Sequence, residues 1–280
     1  MVDPKTFKNE WAAGLSAYLG TEQVAKGRVF ATGLGGSGLV GEMLKHAMNG
    51  RVVYSKTASR EKFDWIIAIS YSGNTWETIG VVNAMKRKGT KLLAITSGGK
   101  LAKMADRVIK LPEGMMARDA FPFILSAALA AVGAKAELKR ALASVKNADL
   151  GSARGIIPKI KNKFPVIYAS AGMIVAAKRF KQQLNENAKM FAFFSKMPDA
   201  FHNDTEPFFW RNDSFVPVVL GRGYPRETTA RPIPKAIFIK ANSDSEIGDI
   251  ARTMCLLDYV SLRLTEIRKV KRDSSRRYGT

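Results

Sequence analysis

The sequence predicts an α/β protein made of two similar doubly wound units, each a parallel sheet flanked by helices. In both halves of the chain, short and continuously apolar runs alternate with helix-like segments, a pattern typical of buried parallel strands. An alanine- and leucine-rich helical stretch without a strand separates the halves, at about residues 122–146. We therefore expect an N-terminal domain of residues 1–148 and a C-terminal domain of residues 149–280.

In the first half, the predicted elements follow the order β-α-β-β-α-β-α-β, which favours a parallel sheet with crossover helices. Helices are expected at Ser37–Met48 and at Thr75–Lys88, where a cationic last turn is followed by a glycine. The predicted strands of this half are Arg28–Gly33, Arg51–Tyr54, Trp65–Ser70, Lys91–Thr96 and Arg107–Leu111.

The second half repeats this alternation and closes with a long helix, predicted at Glu246–Glu266. A basic segment, Arg268–Arg277, follows and fits a solvated chain end as well as a functional element. The predicted strands of this half are Pro165–Ser170, Met190–Phe194, Phe215–Leu220 and Ala236–Lys240.

The charge of the chain is strongly positive but selects no particular partner. Forty-five Lys and Arg residues against 24 Asp and Glu residues give a formal net charge of +21, which attracts anions in general. The basic residues are not interleaved with aromatic residues, and no helix-turn-helix or zinc signature is present, so we expect no nucleic-acid partner.

The composition also argues against a membrane or metalloprotein class. No segment approaches the roughly 18 apolar residues of a membrane span, and the N-terminus lacks a secretory apolar region. We therefore expect a cytoplasmic protein with no membrane partner, which the single cysteine, Cys255, also fits. With two histidines and one cysteine, no transition-metal site is expected.

A glycine-rich turn follows the first predicted strand. The segment from Gly33 to Gly38 fits the pattern G-x-G-x-x-G, so a dinucleotide site has to be considered. The acidic residue expected at the end of the second strand is missing after Tyr54. A site for the 2′-phosphate of NADP stays open because Lys56 and Arg60 are basic.

A second loop, which follows the third predicted strand, favours a phosphate monoester instead. Ser70, Ser72 and Thr75 place three hydroxyl groups at a helix N-terminus, where backbone N–H groups and the dipole attract an anion. Ser37 from the glycine turn is expected to join them, because loops at the carboxyl ends of neighbouring strands face one crevice. A capped helix start with nothing bound is the alternative. The loop Thr96–Lys100 either shapes the wall of this crevice or caps a helix.

Three further residues are candidates for chemistry at the site. Arg118 precedes a proline-started helix and either stabilises an anionic intermediate or pairs with a surface carboxylate. Glu186 stands between two asparagines near a helix end, and His202 follows in the segment after it. A carboxylate and a histidine are suited to proton transfer near neutral pH, although each also fits a purely structural role.

Taken together, these segments resemble the archaeal bifunctional phosphoglucose/phosphomannose isomerases of the phosphoglucose isomerase superfamily, which have two sugar-isomerase (SIS) domains. The resemblance covers about residues 28–268, with the motifs in the family's order, and SYSGNT with NENAK is its most specific part. The matching motifs are GLGGSGLV at 33–40, ISYSGNTWET at 69–78, AITSGGKLAKM at 94–104, ARDAFP at 117–122, LNENAK at 184–189 and DAFHN at 199–203.

The resemblance implies a fold of two SIS domains and a role for each candidate residue. Glu186 would be the base that moves a proton between C2 and C1 of the sugar through a cis-enediolate, and Arg118 would stabilise that enediolate. His202 would assist ring opening from the neighbouring subunit, which implies a homodimer. The 6-phosphate would be bound by Gly36, Ser37, Ser70, Ser72 and Thr75.

The implied enzyme interconverts glucose 6-phosphate, and mannose 6-phosphate as well, with fructose 6-phosphate in glycolysis and gluconeogenesis. It needs neither a metal nor an organic cofactor. Its partners are therefore sugar 6-phosphates and a second copy of the chain.

The C-terminal segment departs from the family pattern. Related enzymes carry a lysine at a fixed distance beyond an EIR motif, but an ungapped count from Glu266–Arg268 runs past Thr280. The same count places Ser275 where a small hydroxyl residue accompanies acceptance of mannose epimers. A sugar-phosphate-binding or regulatory protein of the same fold, without turnover, is therefore the alternative. Tail residues that would replace the lysine are Lys269, Lys271, Arg272, Arg276 and Arg277.

Overall fold

The computed structural model describes residues 2–86, 89–210, 213–223 and 232–272. The chain divides into two compact units, and each is described by itself. One unit comprises Glu10–Leu142, and the other comprises the N-terminal residues up to Asn9 together with the chain from Ala143 onwards. The domain boundary at residues 148 and 149 stays a prediction.

The unit Glu10–Leu142 contains a five-stranded parallel sheet in the order β2-β1-β3-β4-β5. The first helix and the last one extend across the unit's boundaries. The elements in chain order are α1 (Pro4–Ser16), β1 (Val29–Thr32), α2 (Gly35–Ala47), β2 (Val52–Tyr54), β3 (Trp65–Ile69), α3 (Trp76–Met85), β4 (Lys91–Thr96), α4 (Gly99–Met104), β5 (Arg107–Lys110), α5 (Phe121–Ala131) and α6 (Lys135–Lys146).

The predicted order of elements in this unit is confirmed, because continuous apolar runs form the buried strands. Phe30, Ile66 and Leu92 lie side by side on β1, β3 and β4 and are fully buried in one core cluster. The Ala/Leu-rich stretch is helical, as predicted, but it divides into α5 and α6. Gly133 between them adopts a φ of +80°, a conformation that a residue with a Cβ atom disfavours.

The second unit contains a four-stranded parallel sheet in the order β7-β6-β8-β9. Its longest helix, α9, carries Cys255, which is fully buried. Burial, and to a lesser degree the charge of Asp258, raises the pKa of this thiol. The elements that follow α6 are α7 (Ala153–Ile160), β6 (Phe164–Ala169), α8 (Ile174–Glu186), β7 (Phe193–Lys196), β8 (Phe215–Gly221), β9 (Ile237–Lys240) and α9 (Glu246–Ile267).

One predicted strand of this unit is placed too early in the sequence. The strand expected at Met190–Phe194 begins at Phe193 instead. The backbone of Lys189 has a φ of +53°, and the Met190 N–H donates a hydrogen bond of 3.0 Å to the Leu184 carbonyl oxygen. The chain is therefore still turning out of α8 at the position where an apolar run suggests a strand.

The two sheets share a strand order that reverses beside their first strands, β1 and β6. In such open parallel sheets, ligands bind at the carboxyl ends of the two strands where the order reverses. In the first unit these strands are β1 and β3, so the glycine turn and the Ser70–Thr75 loop lie next to each other. The fold therefore brings the two predicted phosphate loops to one crevice.

A buried ion pair joins α8 to α9 in the second unit. The Arg179 guanidinium donates to the Asp258 carboxylate through Nε to Oδ1 at 3.0 Å and through Nη2 to Oδ2 at 2.5 Å. The two side chains are only 3% and 4% exposed. Removing one charge of such a pair leaves the other charge uncompensated in an interior that solvates it poorly.

We expect Arg179→Met to lower the free energy of unfolding by about 3–5 kcal/mol, because the Asp258 carboxylate loses the cation that compensates its burial. Urea denaturation followed by circular dichroism measures the loss. The double variant Arg179→Met/Asp258→Leu should recover much of it, and Arg154→Met, at an exposed cation, should change little. A double variant as unstable as the single one would contradict this account.

Candidate functional site

Close packing shapes the glycine turn after β1. A Cβ atom at Gly33 would lie 2.7 Å from the Ile69 carbonyl oxygen, and one at Gly38 would lie 2.5 Å from the Tyr54 hydroxyl. That hydroxyl donates a hydrogen bond of 3.0 Å to the Gly33 carbonyl oxygen. Burial, followed by the charge of Glu42, raises the pKa of Tyr54 and keeps its phenol a donor. Packing thus explains the glycines, and Tyr54 ends the strand where a dinucleotide site needs an acidic residue.

The loop between β3 and α3 holds two of the predicted hydroxyl groups together. The hydroxyl oxygens of Ser70 and Thr75 lie 2.8 Å apart in a hydrogen bond. Ser70 is buried, and its oxygen also accepts a hydrogen bond of 3.1 Å from the Gly73 N–H. Ser72 is exposed, and its oxygen accepts a bond of 3.3 Å from the N–H two residues on, which leaves its own hydrogen for a ligand.

The loop after β4 supports this hydroxyl loop. The Ser97 hydroxyl donates to the Tyr71 carbonyl oxygen at 2.7 Å. The Thr96 hydroxyl lies within hydrogen-bond distance of two carbonyl oxygens, that of Gly98 at 2.8 Å and that of Tyr71 at 3.1 Å. In return, the Asn74 side chain accepts a hydrogen bond of 3.0 Å from the Lys100 N–H at the start of α4. The loop Thr96–Lys100, predicted to form a crevice wall or to cap a helix, therefore fixes the backbone of the Ser70–Thr75 loop.

Two glycines allow these loops to touch. Gly73 has a φ of +67°, and a Cβ atom there would lie 1.8 Å from the Gly98 carbonyl oxygen. Gly99 has a φ of +74°, and its Cβ atom would lie 2.3 Å from the Ser72 carbonyl oxygen. Both the backbone angle and the contact require glycine at these positions.

Tyr71 links the hydroxyl loop to the segment that carries Arg118. Its hydroxyl donates a hydrogen bond of 2.9 Å to the Pro112 carbonyl oxygen and accepts one of 2.8 Å from the Met115 N–H. Arg118 follows in a turn and is half-buried, and Pro122 lies in the first turn of α5 as predicted. Arg118 therefore lies after β5, at the same carboxyl edge of the sheet as the hydroxyl loop.

The helices α2 and α3 begin beside these loops without side-chain caps. Their N-cap residues, Leu34 and Thr75, make no side-chain hydrogen bond to the first turn. The side-chain cap that the sequence left open for α3 is therefore not formed. Ser37 lies half-buried in the first turn of α2, next to Gly36. Hydroxyl and amide donors at two helix N-termini can hold a phosphate without a cationic side chain.

In the second unit, Glu186 is the last residue of α8 and is exposed. The asparagines that flank it hold the chain as it leaves the helix. Asn185 donates from Nδ2 to the Met190 carbonyl oxygen at 2.7 Å. Asn187 is fully buried and donates from Nδ2 to the Ser261 hydroxyl oxygen on α9 at 3.0 Å. These contacts explain why two poor helix formers stand at this position.

His202 lies at the end of the short 3-10 helix Asp199–His202 and is exposed. This helix follows the carboxyl end of β7, whereas Glu186 precedes the amino end of the same strand. Because β7 runs parallel to β6, the two residues lie at opposite ends of one sheet. Within the second unit, the structure does not bring Glu186 and His202 together.

Two cations of the C-terminal segment contact the turn that follows Glu186. Arg268 donates from Nε to the Ala188 carbonyl oxygen at 3.0 Å, and Arg272 donates from Nε to Oδ1 of Asn187 at 3.3 Å. Among the tail candidates, Arg272 is therefore placed beside the candidate base. Predictions that lie outside the described residues concern Ser275, Arg276, Arg277 and the last two residues, 87 and 88, of the helix expected at Thr75–Lys88.

Three residues that shape the site escaped the sequence analysis: Tyr54, Tyr71 and Asn74. Tyr71 and Asn74 lie inside the motif SYSGNT, so the motif already indicated that they belong to the site. Their partners, Pro112 and the Lys100 N–H, are distant in sequence, and no local pattern connects them.

Across the four described ranges, no group of three or more His, Cys, Asp or Glu side chains is arranged to hold a metal ion. In the same described part of the chain, no helix is long and apolar enough to cross a membrane.

Comparison with known proteins matches both halves of the chain to related domain families. The SIS domain family matches residues 24–138, and the family described as bacterial phospho-glucose isomerase C-terminal SIS domain matches residues 151–273. These matches agree with the two parallel sheets of the structure.

Two relatives are similar over most of their length. The bifunctional phosphoglucose/phosphomannose isomerase of Aquifex aeolicus is 34% identical over an alignment that covers 86% of this chain and 85% of the relative. The D-glucosamine-6-phosphate 4-epimerase of Sulfolobus acidocaldarius is 31% identical over an alignment that covers 87% of this chain and 84% of the relative.

Among solved structures, the glucosamine-6-phosphate deaminase of Thermotoga maritima has a TM-score of 0.70, covers 96% of this chain and 95% of its own, and is 12% identical. At that identity the similarity concerns the fold alone. The sequence matches go further, because they extend through both units at 30% identity or more. The chain therefore belongs to the bifunctional phosphoglucose/phosphomannose isomerase family, a family of sugar-phosphate isomerases with two SIS domains.

Proposed function

We propose that this protein interconverts glucose 6-phosphate and fructose 6-phosphate, accepts mannose 6-phosphate as well, and needs no metal or organic cofactor. It would serve glycolysis and gluconeogenesis in the cytoplasm. The observation that carries the proposal is the hydroxyl-rich loop after β3, which lies beside two helix N-termini without side-chain caps. Such a set of neutral donors suits a phosphate monoester.

The substrate phosphate would be bound by Ser37, Ser70, Ser72 and Thr75, with Gly36 allowing the backbone to approach. Ser70 and Thr75 already share a hydrogen bond, so their oxygens are preorganised as a pair. Binding at this loop leaves the sugar carbons to the catalytic groups.

Glu186 would act as the base. Its carboxylate takes the proton from C2 of the open-chain aldose, which gives a cis-enediolate, and returns a proton to C1, which gives the ketose. Arg118 would stabilise the negative charge of the enediolate oxygen, because a fixed guanidinium is a suitable partner for a developing oxyanion.

His202 would assist ring opening in the active site of a neighbouring subunit. Its exposure, and its place at the sheet end opposite Glu186, support a role outside its own chain. A homodimer is also supported by an exposed aromatic surface on the second unit, where Phe164, Phe191 and Phe193 are 41%, 72% and 50% exposed. Phe164 makes ring contacts with Phe191 and Phe215, and Phe193 makes one with Phe215.

The first test is fructose 6-phosphate formation from glucose 6-phosphate and from mannose 6-phosphate in the presence of EDTA. We expect both reactions to proceed, and Glu186→Gln to lower kcat by about a hundredfold to ten-thousandfold because the base is lost. Glu10→Gln, which removes an exposed carboxylate from α1, is the matched control.

The alternatives give different results in this assay. A wild type that binds sugar phosphates in a thermal-shift measurement but forms no fructose 6-phosphate would favour the non-catalytic binding or regulatory protein. A 4-epimerase, the activity named for the Sulfolobus relative, would invert C4 and form no ketose.

A second test concerns the phosphate loop. We expect Ser72→Ala to weaken glucose 6-phosphate binding about tenfold, because one hydrogen bond to a charged oxygen is lost. Its thermal stability should stay unchanged, since Ser72 is exposed and accepts only a 3.3 Å bond. Isothermal titration calorimetry measures the affinity, and Thr57→Val, at an exposed hydroxyl after β2, is the control. Equal affinities for wild type and Ser72→Ala would remove Ser72 from the site.

A third test asks whether His202 acts across subunits. Glu186→Gln and His202→Ala chains are refolded together, and activity is compared with that of each variant refolded alone. If the histidine is donated in trans, mixed dimers contain one intact site, and random pairing restores about a quarter of wild-type activity. If both residues act within one chain, mixing restores nothing.

A further inference from the structure

The residue after the proposed base is held by an unusually complete set of buried contacts. Asn187 has no exposed surface, and its amide group contacts three other side chains. It donates from Nδ2 to Ser261 at 3.0 Å and to Oε1 of Gln183 at 3.4 Å, and its Oδ1 accepts from Arg272 at 3.3 Å. Asn187 directly follows Glu186, so we ask whether this fully buried amide has a role besides packing.

The chemistry of these partners fixes the orientation of the amide. A guanidinium only donates hydrogen bonds, so the Asn187 oxygen has to face Arg272 and its nitrogen has to face Ser261. The Ser261 hydroxyl accepts that bond and donates its own hydrogen to the Asp258 carbonyl oxygen at 2.7 Å. Every group in this chain of hydrogen bonds therefore has one compatible direction.

The same turn is held from its other side. Arg268 donates to the Ala188 carbonyl oxygen at 3.0 Å, so the two residues after Glu186 are both attached to α9 or to the segment beyond it. The carboxylate of Glu186 itself lies at the exposed end of α8. The backbone from which this side chain extends is therefore followed by a turn that α9 and the segment beyond it hold in place.

We propose that Asn187, Ser261 and Arg272 form a polar latch that positions the Glu186 carboxylate for proton transfer, with Asn187 as the central positioning residue. The inference rests on the proposed role of Glu186 as base. In this proposal, Arg272 contacts Asn187, which supports the base, and Ser261 affects proton transfer without touching the sugar.

In the proposed reaction, misplacement of the Glu186 carboxylate can be detected from the deuterium content of the product. The C2–H bond breaks as the carboxylate takes the proton, and a C1–H bond forms when the same carboxylic acid returns it. The C2 hydroxyl loses its proton as the C2 oxygen becomes the carbonyl, and the C1 carbonyl oxygen gains a proton to become the hydroxyl. A carboxylate held over both carbons returns the original proton before it exchanges. A displaced one transfers more slowly, so in D₂O more of the ketose carries deuterium at C1.

The test compares Ser261→Ala with Ser126→Ala. The two serines are equally buried, and each hydroxyl donates to one backbone carbonyl oxygen, Asp258 or Leu15, at 2.7 and 2.8 Å. Each also accepts one bond, from Asn187 at 3.0 Å or from the Tyr18 N–H at 3.2 Å. Each substitution therefore removes one donated and one accepted hydrogen bond, and the Ser261 hydroxyl is the one that contacts Asn187, the residue after Glu186.

We expect Ser261→Ala to lower kcat about tenfold with KM nearly unchanged, and to raise the deuterium content at C1, because the carboxylate is misplaced and not removed. Ser126→Ala should lose similar stability with wild-type deuterium content. Arg272→Gln, which opens the latch from the solvent side, should shift kcat and deuterium content in the same direction, with Arg154→Gln as its charge control.

Wild-type deuterium content in folded Arg272→Gln, or an equal change in Ser261→Ala and Ser126→Ala, would overturn the latch. Failure of the proposed function is separate from this result. It would appear as full activity in Glu186→Gln, whatever the deuterium content of the latch variants.

Discussion

The reversal of strand order beside β1 determines where this protein can bind a ligand. Crossover helices leave the sheet on opposite faces at that point, so the loops after β1 and β3 separate and leave a crevice between them. The glycine turn, the hydroxyl loop and the loop after β4 are all consequences of this topology. Close backbone contacts at Gly73 and Gly99 then fix the loops relative to one another.

The hydroxyl groups of the loops after β3 and β4 divide between those that hold the backbone and those that we propose bind the substrate phosphate. In the loop after β4, Ser97 holds the Tyr71 carbonyl oxygen. In the loop after β3, Ser70 closes its own turn, whereas Ser72 is exposed. Neutral donors of this kind recognise an anion through geometry, not through net charge. This explains why the formal charge of +21 carries little information about the ligand, although it remains the most conspicuous feature of the composition.

Most of the fold could be predicted from the sequence because continuous apolar runs mark parallel strands buried on both faces. The prediction was wrong at the start of β7, where Lys189 adopts a positive φ that no apolar pattern reveals. At the site, the hydroxyl loop was recognisable because its residues are adjacent in sequence. The hydrogen bond between Asn187 and Ser261 was not, because 74 residues separate the two and their meeting depends on how α8 packs on α9.

The buried thiol in α9 has a practical consequence. Cys255 has no exposed surface, and its raised pKa leaves almost none of the reactive thiolate in the folded protein. The folded native chain therefore reacts very little with maleimides. A cysteine introduced at an exposed position of either unit becomes the one site that takes a fluorescent or spin label, so distances between the units can be measured without first removing the natural cysteine.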